Sequence, residues 1–349
     1  MSDDAGRISR WPIIGHDQAV RDVGDAVEAG TPSHAYLITG PAGVGRTTFA
    51  RTLAQALNCE RPSSERPCGK CATCRRIQTD SHPDVSLIDL DWQNEMIGAP
   101  RGDASRSRQR LSIDTVRWLR QDIVTRPMMG RWKVQIIDDA ELFSESAPDA
   151  FLKTLEEPPP YAVIMLIASS PDAVSETVRS RCRHISLGTL PTATVVQALV
   201  DRDVPESEAT RLARSAHGRV AWALRMAGDA EAIRKRREKL EAAYEHISSP
   251  LGRVEISGVL ASNHSRNRDN TFELLDLYTG LWRDALLHRV GLEDMTVFPE
   301  VADRMESFAG GFEVSQLGRA VWATQRCMED LGNNMQARIA LHAMVMQWP

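Results

Sequence analysis

Residues Gly40-Pro41-Ala42-Gly43-Val44-Gly45-Arg46-Thr47 have the types and spacing of a phosphate-binding loop, G-x-x-x-x-G-K-[ST], with arginine in the lysine position. An apolar run, Ala35–Ile38, precedes the loop and a helical pattern to Asn58 follows it, which is the strand–loop–helix setting this chemistry needs. Glycines let backbone N–H groups curl around phosphate oxygens, and a helix N-terminus adds partial positive charge. Gly40, Gly43, Gly45, Arg46, Thr47 and Thr48 are therefore the candidate nucleotide ligands. A lysine would reach the β- and γ-phosphates as a compact, mobile charge. Arginine keeps the charge on a rigid planar fork, so the exchange bears on catalytic competence.

Asp138 and Asp139 end a second apolar run, Val134–Ile137. A carboxylate there can hold the magnesium that bridges the β- and γ-phosphates, and a glutamate after it commonly polarises the attacking water. Two acids can also simply end a strand. The phosphate loop upstream favours Mg2+ binding by Asp138, with ATP or ADP as the nucleotide. Asp139 is one methylene shorter than the usual base.

Cys59-x8-Cys68-x2-Cys71-x2-Cys74 offers four thiolates, enough to close a tetrahedral, structural Zn2+ shell. Free buried thiols and an iron–sulfur cluster are the alternatives. Two C-x2-C steps sharing Cys71 in a hydrophilic loop argue against the first, and the lack of any other redox feature argues against the second. The other two of the six cysteines, Cys182 and Cys327, stand alone. This usage suits a reducing cytosol and a metal site better than disulfides. Arg181, in Ser180-Arg181-Cys182, could by itself be an ordinary surface ion-pair residue.

These residues must be carried by a framework. The 349 residues suffice for two or three domains. Apolar runs at Ala35–Ile38, Val85–Leu90, Val134–Ile137 and Val163–Ala168 read as buried parallel strands alternating with helices. Ile113, Val116, Leu119 and Ile123 follow helical spacing behind a cap at Ser112 or Asp114. A further helix from about Ser144 to Leu155 stops at Pro158-Pro159-Pro160. The polar stretch Gln93–Gln109 reads as a mobile surface loop. After about Leu190 only helical patterns remain, short ones to about Asp229 and longer ones from Glu231. A net charge of −5 argues against a protein that coats nucleic acid with one basic face. No apolar run approaches a membrane span, and the polar start Met1-Ser2-Asp3-Asp4 carries no secretory signal. A cytoplasmic location is expected.

Phosphate loop, four-cysteine insertion, strand-end acids, Leu152-Lys153-Thr154-Leu155-Glu156-Glu157-Pro158-Pro159 and Ser180-Arg181-Cys182 together resemble bacterial DNA polymerase III clamp-loader subunits of the AAA+ class. The resemblance covers residues 11 to 230 and extends to Asn333-Asn334-Met335-Gln336-Ala337-Arg338. It implies an α/β fold: a parallel AAA+ P-loop sheet with helices on both faces at 1–190, with the zinc module at 59–74 inserted in it. A small helical lid at 191–230 and a helical collar at 231–349 follow. It also implies partners: gamma/tau motor subunits, a delta subunit and, through the complex, a sliding clamp and primed DNA. In motor subunits a sensor arginine occupies the place that Ala221 fills in Gly218-Arg219-Val220-Ala221. With Arg46 and Asp139, this third departure implies the delta-prime, or stator, type, which lends Arg181 in trans to a neighbour's ATP. A gamma/tau-type ATPase and a stand-alone zinc-containing DNA-binding protein are the rival readings.

Overall fold

The computed structural model describes residues 10–98, 110–144, 147–264, 268–332 and 335–349. Two compact units emerge, one of residues up to Thr194 with Gly218–Trp222, the other of Val195–His217 with Ala223–Pro349.

The first unit is built on five parallel strands: β1 (Ala35–Thr39), β2 (Val85–Ile88), β3 (Lys133–Ile137), β4 (Ala162–Ala168) and β5 (Arg183–Ser186). They lie in the order β2-β3-β4-β1-β5, with Leu37 level with Leu166 on one side and His184 on the other. Successive strand side chains point to opposite faces, so each strand feeds two cores. Tyr36, Ile38, Val134, Ile136, Met165 and Ile167 pack with Val23, Phe49 and Leu53 from helices α1 (Asp17–Glu28) and α2 (Arg46–Asn58). Ala35, Leu37, Ile137, Ile164 and Leu166 pack on the other face with Val116, Leu119 and Phe151. Those last residues belong to helices that follow α3 (Ala72–Gln78) and α4 (Leu90–Met96), namely α5 (Ile113–Ile123) and α6 (Ala147–Glu156). A short helix, α7 (Glu176–Arg179), leads into β5.

The sequence pattern contains four of these strands. β5 is the addition, an edge strand in which Ile185 alone is buried, so it has no apolar run to read. The strand expected at Val85–Leu90 stops at Ile88, and α4 begins at Leu90 behind an Asp89 cap that accepts the Trp92 N–H at 2.7 Å. Gln93 is accordingly no loop residue. It is buried, donates to the Arg110 carbonyl and accepts from the Ser112 N–H and the Thr115 hydroxyl. Residues 99–109, Met1–Asp4 and Asn333-Asn334 lie outside the described residues. Of the two caps expected for α5, Ser112 is the one used.

Among its described residues the second unit has helices and no strand. It comprises the larger part of α8 (Thr192–Val200), α9 (Glu206–Ala216), and α10 (Val220–Ala227) from Ala223 onward. It continues with α11 (Ala230–Ser248), α12 (Pro250–Asn263), α13 (Arg268–Arg289), α14 (Ala302–Gly310), α15 (Val314–Gly332) and α16 (Ala337–Val345). Its main core centres on Tyr278, Leu281 and Trp282 of α13, with Met305, Leu317 and Leu341 around them. Among the described residues no helix is long and apolar enough to cross a membrane.

Candidate nucleotide and metal sites

The phosphate loop connects the carboxyl end of β1 to α2, where open parallel sheets place ligands. Gly40 has φ 152°, and a Cβ there would sit 2.1 Å from the Leu187 carbonyl oxygen. Gly43 has φ 84°. α2 opens at Gly45 without a side-chain cap, so its first N–H groups are left for an anion. Arg46 Nη1 is buried and has no partner among the described residues, which fits a group placed to take an anion. Thr48 is exposed at the same helix start.

Thr47 Oγ1 donates to Asp138 Oδ2 at 2.6 Å, across a separation of 91 residues. The loop hydroxyl and the β3-end carboxylate therefore meet where a hard cation would take oxygen ligands. Asp138 Oδ1 accepts the Asp139 N–H at 3.0 Å, and Asp139 itself is left-handed at φ 51°. The residues fit a magnesium nucleotide. Sequence reasoning missed Glu141: its Oε1 accepts the Ser169 N–H at 3.1 Å beyond β4, and its Oε2 is buried without a partner among the described residues. The D-D-x-E spacing was the only available signal.

Gly218–Trp222 lies over the loop within the same unit. The Trp222 N–H donates to the Gly43 carbonyl at 3.0 Å. A Cβ on Gly43 would come within 2.8 Å of the Trp222 side chain, and one on Gly45 within 3.7 Å of Ala221. Ala221 thus sits beside the loop. Arg219 is also adjacent, its guanidinium carbon 5.6 Å from the centre of the Trp222 ring.

At the far end of α2 the thiols of Cys59, Cys68, Cys71 and Cys74 come together, each sulfur within 4.8 Å of the others. A tetrahedron with Zn–S bonds of about 2.3 Å has edges of about 3.8 Å, so the set fits zinc with small adjustments. None of the four is in a disulfide. Cys59 and Cys74 are buried, and burial raises both thiols. Burial also pushes Cys68 up, but the N–H groups of Lys70 and Cys71 and the neighbouring thiols outweigh it and bring Cys68 down to about 6. The Lys70 and Cys71 N–H groups approach Cys68 Sγ at 3.5 and 3.3 Å, and Cys74 N–H approaches Cys71 Sγ at 3.4 Å. Glu60 steadies the turn by accepting the Thr73 N–H at 3.0 Å, and Gln55 of α2 donates to the Cys74 carbonyl at 2.8 Å.

Arg181 lies between α7 and β5 and is paired with Glu156 at the end of α6. Cys182 beside it is half-buried, and burial pushes its thiol up to about 12, away from reactivity.

Sheet, glycine loop and strand-end aspartate define a P-loop α/β domain of nucleotide-binding type. A family profile described as DNA polymerase III, delta subunit, matches residues 15–191, just over half of the chain. The chain belongs to this clamp-loader AAA+ family. It is 28% identical over 270 residues to the DNA polymerase III subunit tau of Bacillus subtilis (strain 168), covering 76% of this chain and 45% of that protein. Against the subunit tau of Escherichia coli (strain K12) it is 28% identical over 332 residues, covering 93% of this chain and 45% of that protein. The chain thus matches less than half the length of either relative. A crystal structure of a DNA polymerase III gamma subunit-related protein from Thermotoga maritima aligns with TM-score 0.34 and 17% identity, over 93% of this chain and 97% of that one.

Proposed function

We propose that this chain is a delta-prime-type stator of the clamp loader. It assembles with gamma/tau motor subunits and a delta subunit, and the assembly opens a sliding clamp and closes it around primed DNA. The observation that carries the stator reading is the trio Arg46, Asp139 and Ala221 around one nucleotide site. Each departs at a different contact: the β/γ-phosphates, the attacking water and the γ-phosphate sensor. Losing such contacts raises the barrier even where ground-state binding survives.

The glycine cradle, Arg46, Thr47 and Thr48 would hold ATP or ADP, with Asp138 as the carboxylate toward Mg2+. Magnesium, when bound, neutralises charge between the phosphates. Nucleotide binding without turnover is expected of the isolated chain. Cys59, Cys68, Cys71 and Cys74 would hold one structural zinc, since four thiolates close the shell. Residues 191–230 are read as the lid and 231–349 as the collar that joins neighbours. Arg181 is read as a finger reaching a neighbour's γ-phosphate.

The test is Arg181→Ala in the assembled loader. The chain stays folded and the complex forms, but hydrolysis at the site receiving the finger falls by about a thousandfold or more. Lysine rescues poorly because it lacks the planar fork. An unchanged ATPase rate would reduce Arg181 to a surface ion pair. A second reading, a gamma/tau-type ATPase, draws on the Thr47–Asp138 contact and on the tau relatives. Steady turnover by the purified chain, lost in Asp138→Asn, would select it.

A further inference from the structure

The Arg181 guanidinium is engaged asymmetrically within its own chain. One edge, Nη1, donates to the Thr177 carbonyl at 2.7 Å and lies 3.3 Å from Ser180 Oγ. The other edge, Nε and Nη2, converges on a single oxygen, Glu156 Oε1, at 2.9 and 2.5 Å. Paired N–H groups on one edge are what arginine uses to grip carboxylate or phosphate. The anion-gripping edge is thus held by this chain's own carboxylate, while the opposite edge is tied to α7 backbone. Arg181 and Glu156 side chains are 34% and 48% exposed, so a second anion can approach the pair.

We propose that Glu156 is a positioning residue that latches Arg181 until a phosphate oxygen presented by a neighbouring subunit's nucleotide takes its place. This rests on the reading that Arg181 acts in trans. The exchange keeps the donor count of the guanidinium unchanged: two N–H groups leave Glu156 Oε1 and take phosphate oxygen, and the released carboxylate returns to water. The Nη1 contact to Thr177 survives the exchange and keeps the fork aimed. A polyphosphate with several negative charges can displace one carboxylate where a weaker anion does not. Glu156 therefore sets how strong an anion must be to engage the finger, and it competes directly with the neighbour's ATP.

The experiment uses the assembled loader carrying wild-type chain, Glu156→Gln, Arg181→Ala, or both, with ATP hydrolysis measured across ATP concentration. Glu156→Gln keeps size and an acceptor oxygen but removes the charge. KM for ATP should fall by about fivefold, the upper end of an exposed ion pair's effect, with kcat little changed. The shift should vanish in the Arg181→Ala background. Glu156→Ala should move KM in the same direction and guards against an assembly defect peculiar to the amide. A KM that stays or rises in both Glu156 variants overturns the latch, as does the same shift without Arg181. If Arg181→Ala lowers hydrolysis but the Glu156 variants leave KM alone, the latch fails and the trans finger stands. If Arg181→Ala changes nothing, both fall.

Discussion

Two buried aspartates do the same local job with opposite electrostatic outcomes. Asp84 accepts the N–H groups of Met128, Met129 and Gly130, each at 2.7 Å, and Asp284 accepts those of Val297 and Phe298 at 2.8 to 3.0 Å. Burial raises Asp84, but the N–H bonds from Gly130, Met128 and Met129 prevail and hold its carboxyl below the usual range. At Asp284 burial prevails over the bonds from Phe298 and Val297 and pushes the carboxyl up to about 6. The signs follow by linkage. Asp84 contributes stability that is present above its unfolded value and is lost as pH falls through the lower folded value. Asp284 does the reverse: between 3.8 and about 6 the native state holds more protons than the unfolded chain, so stability falls as pH rises. The full Asp284 effect is worth roughly 3 kcal/mol. Urea titrations of wild type and Asp284→Asn should therefore show a stability difference that moves against wild type across that pH window and levels off above it. A difference independent of pH would show that the carboxyl titrates normally.

Helix α5 allows a clean test of a single element. Ser112 Oγ accepts the Thr115 N–H at 3.3 Å, so Ser112→Ala should cost about 1 kcal/mol in denaturant unfolding, with no change in nucleotide binding. Elements were legible in the sequence where burial was complete. β1, β3 and β4 are buried at every position and read as apolar runs. β5 was not legible because it is an edge strand with one buried side chain. α4 was not legible because a buried glutamine does the work of an apolar anchor. In the candidate sites, motif spacing identified the loop glycines and brought the four cysteines under suspicion together. It could not foresee the Arg181–Glu156 pair, 25 residues apart, or the Trp222 N–H on Gly43, because both depend on how separate segments pack. Neither contact has a sequence period.

At the scale of the whole molecule, each unit has its own core, and the cysteine cluster belongs to the first alone. Elemental analysis should find about one zinc per chain, and visible absorbance from iron would overturn the assignment. Chelation, or Cys71→Ser, should lower the melting of the first unit and spare the helical unit around Trp282. Isolated chain should bind nucleotide yet hydrolyse it far below about 1 s⁻¹, the low end for working enzymes. Equilibrium dialysis and a phosphate-release assay read the two halves of that statement. Helix α2 adds a consequence. Its 13 residues run from Arg46 at the phosphate loop to Asn58, the residue before Cys59 of the four-cysteine cluster. At 1.5 Å per residue the rod spans roughly 20 Å, and disorder at one end costs order at the other. Binding free energies coupled through such a rod are reciprocal. Zinc should tighten ADP by the same factor by which ADP tightens zinc, so ADP should slow the loss of metal to a coloured chelator. A bound nucleotide would then act as a fastener for a thiol site at the opposite end of the same helix.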